Sequence, residues 1–117
     1  MPIRTGAAPE GPGEVVILTD TARTKSAKAA VETARIVAEA TVLARDWVNT
    51  PPGDLTPEAF ADAVVGAHKD RKATKVKVSV TDDAALRKGG FGGIIGVGQG
   101  SANPPRLVTL TYAPRGA

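Results

Sequence analysis

Apolar and polar positions change period several times along the chain. Glu14 to Thr19, EVVILT, is an unbroken apolar run of strand length and β-branched character, which predicts a strand. Asp20 and Thr21 behind it offer turn or N-cap chemistry. From about Lys25 to Val48 the period lengthens. Ile36, Ala40, Leu43 and Trp47 recur at spacings of four, three and four, with Val37, Ala44 and Val48 beside them. Arg35, Glu39, Arg45 and Asp46 fall off that stripe, so the segment predicts an amphipathic helix. A long helix with a narrow apolar seam suits a connector between domains. Asn49-Thr50-Pro51-Pro52-Gly53 ends it, because proline restricts the residue before it and donates no helical hydrogen bond.

Thr56-Pro57-Glu58 predicts a second helix start: Thr56 as N-cap, Pro57 in the first helical position and a carboxylate in the first turn. Phe60, Ala63, Val64 and Ala67 follow at i, i+3, i+4 and i+7 and form its expected inner face. Lys75 to Val80, KVKVSV, alternates strictly and predicts a strand with Val76, Val78 and Val80 inward. Asp82-Asp83 precede Ala84-Ala85-Leu86 as a helix cap, and Gly89-Gly90 are expected to close that short helix in the left-handed conformation. Ile94 to Val97 is a short apolar run among glycines, read as a crowded strand. After Pro104-Pro105, Arg106 to Tyr112, RLVTLTY, predicts the last strand. The order strand, helix, helix, strand, short helix, strand, strand implies an α/β fold, with the last two strands as candidate antiparallel neighbours. There is no internal repeat.

Composition moderates this picture. The 117 residues suffice for one domain, and 42% are apolar, but much of that is alanine, with one Trp, one Tyr and two Phe. Alanine buries little area, so the chain is expected to be marginally stable alone. Residues 1–13 hold three Pro and three Gly and predict a flexible lead-in rather than a secretory signal. The net charge of +3 is spread along the chain without clustering or stacking aromatics, which argues against nucleic-acid binding. There is no cysteine, so disulfides, thiolate metal sites and cysteine nucleophiles are excluded. No apolar run has the length of a membrane span, and a soluble intracellular protein is expected.

Candidate chemistry is sparse. Gly89 to Gly100, GGFGGIIGVGQG, invites a phosphate-binding reading, yet Ile95 stands where a dinucleotide fingerprint needs Gly or Ala. No Lys-Ser or Lys-Thr follows a glycine, and the glycines precede and permeate a predicted strand rather than opening a helix. The lone His68 is expected as a surface histidine near a helix end. Ser79 and Ser101 lack a plausible base, and the acidic residues are scattered over caps and helix faces. The residues by themselves describe a scaffold, with no catalytic, metal or cofactor-binding residue assigned.

Two stretches carry a resemblance. Ala44 to Pro57, ARDWVNTPPGDLTP, resembles the Ala-Arg-x-x-x-Asn-x-Pro-x-x-x-x-Thr-Pro pattern of the leucyl (cytosol) aminopeptidase family. Gly90 to Ser101, with Pro104-Pro105-Arg106-Leu107-Val108 and Tyr112, resembles the family's next block, in the same order and at similar spacing. The likeness covers about Val31 to Pro114. It implies a fragment of an intracellular, hexameric exopeptidase that removes leucine-like N-terminal residues from peptides with two divalent metal ions, Mn, Zn or Mg. It further implies that 14–24 end an N-terminal α/β domain, 25–53 form the connector helix and turn, and 54–117 open a truncated catalytic domain. The implied fold is a fragment of a mixed sheet with flanking helices, preceded by the long connector. The family's metal ligands and catalytic residues follow the Tyr112 strand, so none is carried onto this chain, no metal is expected to bind it, and it is expected to be inactive alone. Asn49, Thr56-Pro57 and the glycines of 90–101 match positions of architectural character.

The rival readings are a non-catalytic assembly or binding module on the same scaffold, and a phosphate or nucleotide binder built on the glycines.

Overall fold

The computed structural model describes residues 11, 13–70 and 75–114. Most of the lead-in expected over 1–13 lies outside the described residues, Gly11 and Gly13 excepted. The order of elements is α1 (Lys25–Asn49), α2 (Pro57–Asp70), β1 (Val76–Thr81), α3 (Asp83–Lys88), α4 (Gly92–Gly98) and β2 (Leu107–Tyr112). The α/β class expected from the sequence is what the chain adopts, with four helices and a two-stranded antiparallel sheet among the described residues. Two compact units divide within α1, at 41/42.

In the first unit the strand expected over Glu14–Thr19 does not form. Those residues form neither helix nor strand, and Val15 to Leu18 stand exposed. A strand satisfies its backbone only through a neighbour, and no described strand pairs with this run. Asp20 and Thr21 form the turn that follows, where the Thr21 amide donates to Thr19 Oγ1 at 3.3 Å. The cap of α1 falls to Thr24, whose Oγ1 accepts from the Ala27 amide at 3.2 Å. Within α1, Arg35 pairs with both Glu32 and Glu39, one turn away on either side.

The second unit is built around the sheet. Strands β1 and β2 pair from Val76↔Tyr112 to Thr81↔Leu107. That register places Val76, Val78 and Val80 on one face with Val108, Leu110 and Tyr112, and the alternate positions on the other. Helix α2 packs near both strands, and α3 packs against α4 in the long connection between them. The apolar face is covered unevenly. Val76 and Val78 are half-buried as expected, but Val80 is exposed.

Two expectations about packing are corrected. Phe60 was expected on the inner face of α2, yet its ring is partly exposed while Ala61 and Val64 are the buried positions. Val64 of the expected face is buried, while the Phe60 ring meets Trp47. The run Ile94–Val97, read as a strand, is helix α4. A four-residue apolar run is ambiguous between the two states. With β1 taking β2 as its partner, the run satisfies its backbone locally: the Ile95 amide donates to the Phe91 carbonyl at 3.1 Å. The antiparallel neighbour of β2 is therefore β1, not the 94–97 segment.

Among the described residues only Ala61, Val64 and Leu86 are buried apolar side chains. The core is small because large apolar side chains stay uncovered: Val31, Ile36, Val37, Val42 and Val48 of α1 are all exposed.

Candidate functional site

Candidate residues fall on three junctions of the second unit. The first joins α1 to α2. Helix α1 ends at Asn49, where the Thr50 amide donates to the Trp47 carbonyl at 3.2 Å and Thr50 Oγ1 to the Asp46 carbonyl at 2.7 Å. Pro51 then opens a tight turn, its carbonyl accepting from the amides of Asp54 and Leu55 at 2.9 and 3.0 Å. Thr56 caps α2 through its Oγ1, which accepts from the Ala59 amide at 3.3 Å, and Pro57 occupies the first helical position. Trp47 and Phe60 close the junction, with ring centroids 5.2 Å apart and planes at 82°.

The second junction ties α2 to β2. Glu58, in the first turn of α2, accepts from Arg106 at 3.3 Å. The Arg106 side chain is only 17% exposed while Glu58 is 70% exposed, so the pair anchors the start of β2 with an arginine that is itself largely covered.

The third junction holds the acidic pair and the glycines. Asp82 is the N-cap of α3, accepting from the Ala85 amide at 2.8 Å. Asp83 accepts from Arg87 at 2.9 Å, and that contact raises the Arg87 pKa above its ordinary value. Helix α3 then closes with the Phe91 amide on the Leu86 carbonyl and the Gly90 amide on the Arg87 carbonyl, the paired bonds of a Schellman end. Gly90 alone is left-handed, at φ 74°, whereas Gly89 remains right-handed at φ −80°. A side chain at Gly89 would instead meet the Phe91 ring at 2.7 Å.

The glycines do open a helix, contrary to the contextual argument from sequence, but α4 begins at Gly92, its N-cap Phe91 makes no side-chain cap bond, and it spans only seven residues. The missing lysine and the missing third glycine still set the stretch apart from a phosphate loop. Ser101 Oγ accepts from the Asn103 amide at 3.0 Å and so shapes a turn, while Ser79 lies opposite Thr109 within the sheet.

His68 is half-buried rather than a free surface group. It lines an apolar depression of about 300 Å³ with Leu43, Trp47, Val64, Val76 and Leu110. Among the described residues no three of His, Cys, Asp and Glu gather where they could hold a metal ion. The described residues therefore do not fit a metal centre. No described helix is long and apolar enough to cross a membrane. What the arrangement does chemically is terminate, cap and anchor.

Comparison with known proteins gives this scaffold a context. Residues 42–117 match the model of the cytosol aminopeptidase family, catalytic domain. A probable cytosol aminopeptidase of Streptomyces avermitilis is 51% identical over 109 residues, which is 93% of this chain and 20% of that protein. One from Streptomyces coelicolor is 54% identical over 99 residues, covering 85% and 19%. Among solved structures, the bottromycin maturation enzyme BotP superposes with a TM-score of 0.74 at 40% identity, over 89% of this chain and 21% of that one. BotP in complex with Mn gives 0.69 at 42% identity, over 79% and 20%. The chain thus spans about a fifth of the length of these relatives.

Proposed function

The chain belongs to the cytosol aminopeptidase family, and on that footing we propose that it is part of a metal-dependent leucyl aminopeptidase that removes N-terminal residues from peptides. The match of the family's catalytic domain across 42–117 carries this reading. In it, the turn after Asn49 and the Thr56 cap set where the catalytic domain begins. Residues 14–24 close a preceding domain, 25–53 connect, and 54–117 open the catalytic part. Catalysis and metal binding fall to residues outside this span, and Asn49, Thr56, Pro57 and the glycines of 90–101 serve as framework. The enzyme would act in the cytoplasm as a homo-oligomer, a hexamer, with two divalent ions. Manganese is the first to test, because a relative with 42% identity is known in complex with Mn.

A segment exchange tests the proposal. Residues 42–117 replace the matching segment of the Streptomyces avermitilis relative, and hydrolysis of leucine p-nitroanilide is followed with added Mn, with and without chelator. The expected result is chelator-sensitive turnover by the chimera and none by the 117-residue chain. A chimera with the native size and circular dichroism of its parent but no turnover overturns the assignment. Turnover by the isolated chain that survives repurification and disappears with chelator overturns the framework role.

A further inference from the structure

We draw no further inference here: the strongest candidate, the half-covered apolar face of the β1–β2 sheet beside α2, with its depression lined by Leu43, Trp47, Val64, His68, Val76 and Leu110, carries no proposal because nothing in the structure shows what covers it.

Discussion

Trp47 and Phe60 meet edge to face across the α1–α2 turn, with centroids 5.2 Å apart and planes at 82°. Twelve residues separate them in sequence, and Pro51 and Thr56 set the turn that brings them together. An edge-to-face pair contributes about 0.5–1.5 kcal/mol beyond the area it buries. A double-mutant cycle of Trp47→Leu and Phe60→Leu, read by urea denaturation with far-UV circular dichroism, is expected to show a coupling in that range. Strict additivity of the two losses would mean that the rings touch without stabilising the turn.

Leu86 is the one fully buried large side chain among the described residues, at 0% exposure, whereas Val97 on the neighbouring helix is 91% exposed. Leu86→Ala is expected to cost about 2–5 kcal/mol, enough to abolish a cooperative transition in a domain with so small a core. Val97→Ala should change stability by less than about 0.5 kcal/mol, as for an exposed position. Equal effects of the two substitutions in thermal melts would contradict the packing of α3 against α4.

Gly90 and Gly89 should differ in how they fail. At Gly90 a side chain has open space but must adopt φ 74°, so Gly90→Ala is expected to cost about 1–2 kcal/mol and Gly90→Asn distinctly less. At Gly89 the chief obstacle is the Phe91 ring, with the Ala85 carbonyl oxygen next at 3.2 Å. The Phe91→Ala background should therefore relieve Gly89→Ala and leave Gly90→Ala unchanged. Melting temperatures of these variants decide between the two mechanisms.

Helix α1 carries a pH-sensitive element. The guanidinium of Arg35 hydrogen-bonds Glu32 and holds its carboxyl below the usual carboxylate range. Because the folded value is depressed, the contribution is present above the ordinary glutamate range and is lost as pH falls through the folded value. Both groups are exposed, so the effect is small and screened by salt. A peptide of residues 25–49 should lose helicity on acidification, more steeply at low than at high ionic strength. Arg35→Gln should flatten that dependence, and an unchanged profile would assign the acid response to other carboxylates.

The parts of the fold legible in the sequence are those decided within a few residues. Thr56-Pro57, Asp82 and Gly90 declare their roles because a cap or a left-handed closure involves partners no more than five positions away. The alternation of KVKVSV is likewise readable, since a half-buried strand imposes a period of two on its own residues. The segment 14–19 has the composition of a strand but no described partner, and composition does not supply one. Run 94–97 is ambiguous between strand and helix by composition, and with β1 paired to β2 it is helix α4. The covered Arg106 with Glu58, and His68 within an apolar depression, join residues from elements distant in sequence and left no local trace.

The sequence by itself determined the α/β class, the end of α1, the start of α2, the cap of α3 and, through two motif blocks, the family to which the chain belongs. Only the tertiary structure decided which strands pair, that the glycine stretch coils into α4, and that Phe60 turns to Trp47 while Ala61 goes inward. The physical reason is range. Helices and caps satisfy their backbone groups from within, whereas strands, ring contacts and the core depend on which distant surface excludes water from them.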